Sequence, residues 1–331
     1  MTRLATLLVL VGGWALPLHA GTAYFDPIYG VATTSNLVYG AGAINGGGGS
    51  LNLLLDLYQP TDVGQGALPA ASPGIVFIHG GAWQIGSKTD SYAVDFGNFW
   101  ASRGYVVASI NYRLLGHDVP ETHGPADLMD LSFVPTAAQG GFDLPQPQSA
   151  WTINAGIEDA AKAVGWMRDN AALYNIDPQR IGIGGASAGA INALAHAYNN
   201  PSPHEAAQVV ISYVGALAGA ESLIGAGEVP AFVVNGALDP LIPVAAANAL
   251  VAQMNAAGVA HEFYLQPGVG HTVDYGLIFD GLPLAQHHIE FLAQHLAPEP
   301  SGFVLSCVAL AGIPLVARRR RRQHSRHASL A

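Results

Sequence analysis

Five short apolar runs free of charged residues recur along the chain, at 75–78, 105–110, 181–184, 209–214 and 232–234. A strand with one wet face alternates polar and apolar residues. A run apolar throughout is buried on both faces, so helices must cover both sides of its sheet. Helical segments separate the runs, at 94–103 (ending near Gly104), 153–174, 188–198, 244–257 and 285–296. The segment 153–174 carries Ile157, Ala161, Val164, Met167 and Ala171 on one stripe. Residues 51–58 and 261–265 read as further strands. The alternation predicts an α/β fold with a doubly wound, mostly parallel sheet flanked by helices. In such sheets a site lies beyond the carboxyl ends of the strands.

Two glycine-rich turns follow buried strands directly. Gly185-Ala186-Ser187-Ala188-Gly189 follows 181–184 and opens a small-residue helix. A serine between glycines at a strand-to-helix turn is exposed where free N–H groups and the helix dipole favour developing negative charge. Ser187 is therefore the candidate nucleophile. His79-Gly80-Gly81-Ala82-Trp83 follows 75–78, and its glycines allow backbone amides to converge on one oxygen. The expected oxyanion donors are the N–H groups of Gly80, Gly81 and Ala188. His79 reads as a buttress of this loop. Trp83 reads either as core or as a wall of the substrate pocket.

Two later strands also run into loops bearing chemistry. Residues 231–238 lead to Asp239-Pro240, and 261–265 lead through Gln266-Pro267-Gly268-Val269-Gly270 to His271. His271 is the candidate general base and Asp239 the acid that orients it. Rivals are Asp274 for the acid, and His261, His287 and His288 for the base. The only cysteine, Cys307, lies outside the presumed domain, which excludes a disulfide framework or thiolate metal site there.

Half of the 331 residues are hydrophobic and 11% are charged, enough apolar material for a large core and too much for a disordered chain. Between residues 21 and 297 there are 22 acidic and only 6 basic side chains. Such a surface repels nucleic-acid phosphates and anionic membranes. Residues 21–49 form an N-terminal extension without clear periodicity, including a glycine run at 45–50 that marks a turn or loop. The catalytic domain is expected over 50–297. Its segment 116–150, rich in Pro, Gly and Asp, departs from the alternation and reads as a lid or binding loop.

Both ends read as processing signals. Residues 1–20 combine Arg3, an apolar run too short to span a bilayer and Ala20 at the break, the pattern of a secretory signal peptide. Residues 298–331 hold Pro298-Glu299-Pro300, an apolar segment at 303–317 and five consecutive arginines, 318–322. This tail resembles the PEP-CTERM sorting signal of exopolysaccharide-producing Gram-negative bacteria. The resemblance implies transient inner-membrane association and removal by an exosortase-type enzyme. An uncleaved C-terminal anchor is the alternative, and either reading exports residues 21–297.

Over about residues 50–297 the chain resembles carboxylesterases of the α/β-hydrolase superfamily, the hormone-sensitive-lipase group and bacterial BD-FAE-type esterases. The resemblance rests on Asp56-Leu57-Tyr58-Gln59-Pro60, Phe77-Ile78-His79-Gly80-Gly81-Ala82-Trp83 and Gly86-Ser87-Lys88. It continues through Asn111-Tyr112-Arg113-Leu114, Asn175-Ile176-Asp177-Pro178, the elbow, Asp239 and His271. It implies hydrolysis of carboxylic esters through an acyl-enzyme, without a cofactor. Small esters or acylated, for example feruloylated, polysaccharides are the expected substrates. The Gly-Ala-Ser-Ala-Gly elbow and His-Gly-Gly-Ala loop depart from the lipase branch and favour the BD-FAE-like one. A prolyl-oligopeptidase-like peptidase and a non-catalytic matrix-binding domain are the alternatives.

Overall fold

A computed structural model describes residues 22–132, 134–139 and 141–297. The proposed signal peptide, the sorting tail and Cys307 lie outside the described residues. The supposed N-terminal extension contains a strand of the sheet. β1 (Gly30–Ile44) pairs antiparallel with β2 (Gly49–Thr61) across a short 3-10 turn at Asn45–Gly47. Register shifts between Thr34 and Leu37 and between Val38 and Gly40 break the alternation of side chains, and most of β1 faces solvent. No two-residue pattern survives to be read from the sequence.

The remaining elements follow the predicted alternation. They are β3 (Ser72–Ile78), α1 (Ser91–Ala101), β4 (Val106–Ile110), α2 (Gln148–Asp169), α3 (Ala171–Tyr174), β5 (Ile176–Ala186) and α4 (Ala188–Tyr198). Then come β6 (Val210–Tyr213), β7 (Ala231–Gly236), α5 (Val244–Ala257), β8 (His261–Gln266), the two-residue strands β9 (Ile278–Phe279) and β10 (Leu282–Pro283), and α6 (Leu284–His295). The single helix expected over 153–174 starts five residues earlier and breaks at Asn170, whose backbone leaves the helical region.

The eight long strands form one sheet in the order β1-β2-β4-β3-β5-β6-β7-β8. Every neighbouring pair from β4 through β8 is parallel, and β1 and β2 are antiparallel additions at one edge. All seven residues of β3 are buried. Alternate side chains enter opposite cores, as the strand repeat of two requires. Val76, Ile78, Ile183 and Val233 pack with Ile157, Val164, Met167, Ile191 and Leu194 from α2 and α4. Ile75, Phe77, Ile211, Phe232 and Val234 pack with Phe96 and Trp100 of α1 and Leu284, Ile289 and Leu292 of α6. Each such side chain contributes ~1.5–3 kcal/mol on full burial.

From β3 the chain winds one way to β4, then returns to place β5 on the other side of β3. The turns after β3 and β5 therefore diverge at a switch point, which leaves a crevice between them. The segment 116–150 packs as part of the domain. It contains 3-10 turns at Leu115–His117, Pro125–Leu128 and Ala137–Gln139, and buries Ala126 and Leu131. Asn154 of α2 ties it down, accepting from the Ala126 N–H and donating to the Thr122 carbonyl, both at 2.9 Å.

Candidate active site

Ser187 occupies the turn between β5 and α4 with φ 54° and ψ −120°, a left-handed conformation that costs a non-glycine residue about 1–3 kcal/mol. Steric necessity holds it there. A Cβ on Gly189 would lie 2.1 Å from the Ile78 carbonyl oxygen, and one on Gly185 would lie 2.4 Å from the Gly189 carbonyl carbon. The two glycines thus let the elbow press directly on the end of β3.

The loops after β7 and β8 are zipped together. Ala237 N–H donates to the Gln266 carbonyl and Leu238 N–H to the Val269 carbonyl, each at 2.9 Å. A Cβ on Gly236 would lie 2.0 Å from the Gly270 carbonyl oxygen. This close approach brings Asp239 against His271. Asp239 Oδ2 lies 2.8 Å from His271 Nδ1, and His271 Nε2 lies 2.8 Å from Ser187 Oγ. Asp239 Oδ1 accepts the N–H groups of Leu241 and Ile242 at 2.8 and 2.9 Å. The Asp239 side chain is fully buried and His271 is one-fifth exposed. With both Asp239 oxygens accepting, the imidazole carries its proton on Nδ1 and offers a lone pair to the serine.

The rivals are occupied elsewhere. Asp274 caps its own loop by accepting the Gly276 N–H. The Nδ1 of His261 and the Nε2 of His287 face the backbone carbonyls of Val259 and Phe279. His288 is buried against Phe232, Trp100 and Tyr213, 2.7 Å from the Tyr213 hydroxyl. His79 stacks on Tyr112 with its Nδ1 2.7 Å from the Gly80 carbonyl, and burial pushes its pKa down. It braces the loop as a neutral side chain.

The glycine-rich loop after β3 differs from expectation at Gly80. Its N–H donates to the Tyr92 hydroxyl at 2.6 Å, because the first step beyond β3 turns this amide toward the first turn of α1. Gly80 is thus no free donor. Among the described residues, the N–H groups of Gly81, Ala82 and Ala188 have no acceptor within the protein. Gly81 has φ 108°, and a Cβ there would lie 2.1 Å from the Ile85 carbonyl oxygen, so glycine is required. Trp83 is buried in the core with its indole N–H on Asn192 Oδ1 at 2.9 Å, and its ring also borders a crevice beside Ser187. Trp83 is thus a core residue that also lines this crevice.

Ser187 opens onto a cavity of about 610 Å³ walled by aromatic rings, including Phe77, Phe96, Trp100 and Tyr213. Val134, Phe142 and Leu144 of the 116–150 segment border the cavities around the serine. Tyr92 and Phe142 carry no signal in the sequence, since each reaches the site only through tertiary packing. The grip of the Leu241 and Ile242 amides on Asp239 had a signal, because an aspartate before a Pro-led turn favours such bonds. Among the described residues no group of three or more His, Asp or Glu side chains is placed to hold a metal ion. No described helix is long and apolar enough to cross a membrane.

The chain matches the BD-FAE family over residues 55–134 and 147–214, which include Gly80, Gly81 and Ser187 but not Asp239 or His271. It is 26% identical over 305 residues to esterase LipQ of Mycobacterium tuberculosis, covering 79% of this chain and 62% of the relative. It is 26% identical over 173 residues to a chlorogenic acid esterase of Aspergillus niger, covering 51% and 28%. The chain thus spans less than two thirds of either curated relative. A thermophilic esterase, Est2, from the planctomycete Thermogutta terrifontis superposes with a TM-score of 0.54 at 22% identity, covering 83% of this chain and 95% of that one. The family match, the esterase relatives and the shared sheet architecture support an α/β-hydrolase of the carboxylesterase type.

Proposed function

We propose that this protein hydrolyses carboxylic esters through a serine-bound acyl intermediate. The observation that carries the reading is the chain of 2.8 Å contacts from Asp239 through His271 to Ser187. His271 Nε2 takes the Ser187 hydroxyl proton as Oγ bonds to the ester carbon. The carbonyl oxygen becomes an oxyanion, held by the N–H groups of Gly81 and Ala188 with Ala82 beside them. When the intermediate collapses, the C–O bond to the alcohol breaks and His271 returns the proton to the departing oxygen. Water repeats the sequence on the acyl-serine and frees the acid. Asp239 holds the tautomer and stabilises the imidazolium between these steps. The esterase names of its relatives support the same chemistry.

The terminal sequences support an exported enzyme of a Gram-negative cell surface or matrix, trimmed at both ends, that acts on small esters or acylated polysaccharide. Mass spectrometry of the mature protein tests this through a species beginning near Gly21 and lacking the arginine cluster. For the chemistry, wild-type protein should release p-nitrophenol from p-nitrophenyl acetate and Ser187→Ala should not. A wild-type rate no faster than that of the variant ends the proposal.

A further inference from the structure

Ser187 borders two cavities of very different size. One is the aromatic chamber of about 610 Å³. The other is a crevice of about 20 Å³, walled by Ala82, Trp83, Ala188, Ile191 and Leu144. Phe142 borders both. The cavities also meet different parts of the machinery. His271, Thr272 and Val273 line the chamber, and Gly81 opens onto it. Ala82 and Ala188 line the crevice, which His271 does not reach.

The reaction assigns one arm of the ester to each cavity. The leaving oxygen must receive the proton on His271 Nε2, so the alcohol leaves on the imidazole side. The carbonyl oxygen occupies the amides between. The acyl substituent then takes the remaining direction, away from His271 and toward Ala188. We infer that the crevice receives the acyl group and the chamber receives the alcohol, so this enzyme prefers a short acyl group on a bulky aromatic or apolar alcohol. The inference rests on the esterase reading and specifies its substrate. A crevice of this size has room for about one water-sized group, which suits the methyl of an acetyl ester. The rings of Phe77, Phe96, Trp100 and Tyr213 give the chamber flat apolar walls that an aromatic alcohol covers well.

Two isomeric esters with exchanged arms, 2-phenylethyl acetate and methyl 3-phenylpropanoate, test the assignment on the full chain. Rates are normalised to hydroxide hydrolysis. The acetate should have the higher kcat/KM by about tenfold or more, the scale on which a tight pocket rejects extra carbon atoms. Leu144→Ala, which opens the crevice from the half-buried 116–150 segment, should raise the butyrate-to-acetate ratio of kcat/KM about fivefold. Labelling of Ser187 by a fluorophosphonate separates the two levels of the argument. If Ser187 is labelled but the two isomers react equally, the preference is reversed, or the acetate is not turned over, the arm assignment is overturned. If Ser187 is not labelled, the hydrolase reading fails and the assignment fails with it.

Discussion

His288 ties the stability of this fold to pH. Its ring is fully buried between Phe232 and Trp100, and burial pushes its imidazole down to about 3. Its Nδ1 meets the Tyr213 hydroxyl, whereas Nε2 has no partner among the described residues. In the unfolded chain a histidine titrates near ~6.5. Between those values the unfolded state binds a proton that the folded state refuses, so unfolding becomes easier as pH falls. The slope approaches ~1.4 kcal/mol per pH unit, which gives a loss of ~2.5 kcal/mol between pH 7 and pH 4.5 from this residue alone. That is a large share of the ~5–15 kcal/mol that holds a typical domain together. The contribution is fully present above the unfolded pKa and disappears as pH falls toward the folded one. Urea unfolding of wild type and His288→Phe at the two pH values isolates it. The substitution sacrifices the Tyr213 contact at every pH, so the readout is the pH difference and not the absolute stability. The variant should lose about 2.5 kcal/mol less than wild type on acidification. Equal losses in the two proteins would refute the argument. His79 and His196 are lowered by burial in the same direction and remain in both proteins.

Other substitutions probe the site. Asp239→Asn should retain the fold, since its amide oxygen can still accept the Leu241 and Ile242 N–H groups. Its NH2 then faces His271 Nδ1, which forces the ring proton onto Nε2, where it blocks proton transfer from Ser187. We expect kcat for p-nitrophenyl acetate to fall by about 10⁴-fold, and a fall under tenfold would contradict the assigned tautomer. Gly189→Ala drives a methyl group to within 2.1 Å of the Ile78 carbonyl oxygen, a backbone atom that cannot swing aside. It should destabilise by about 3 kcal/mol or more in urea titrations. Gly116→Ala, with nothing within 4 Å of the added carbon, should stay within about 0.5 kcal/mol of wild type.

The sequence by itself determined the sheet type and the placement of the serine turn. Both are written in contiguous residues. Runs such as 75–78 and 181–184 are apolar on both faces, and the Gly185 to Gly189 turn requires small residues wherever it occurs. The approximate places of Asp239 and His271 were legible for the same reason, since each follows a strand that ends on one edge. Tertiary structure brought Asp239 rather than its rival Asp274 against His271, through the two loops zipping together at Gly236. It also decided that β1 belongs to the sheet, since its register shifts erase the alternation a reader would look for. The Gly80 amide was assigned to the oxyanion from its motif, yet it faces Tyr92, twelve residues away on α1. A motif fixes which backbone conformations are open to the chain, whereas the direction of each N–H depends on what packs against it.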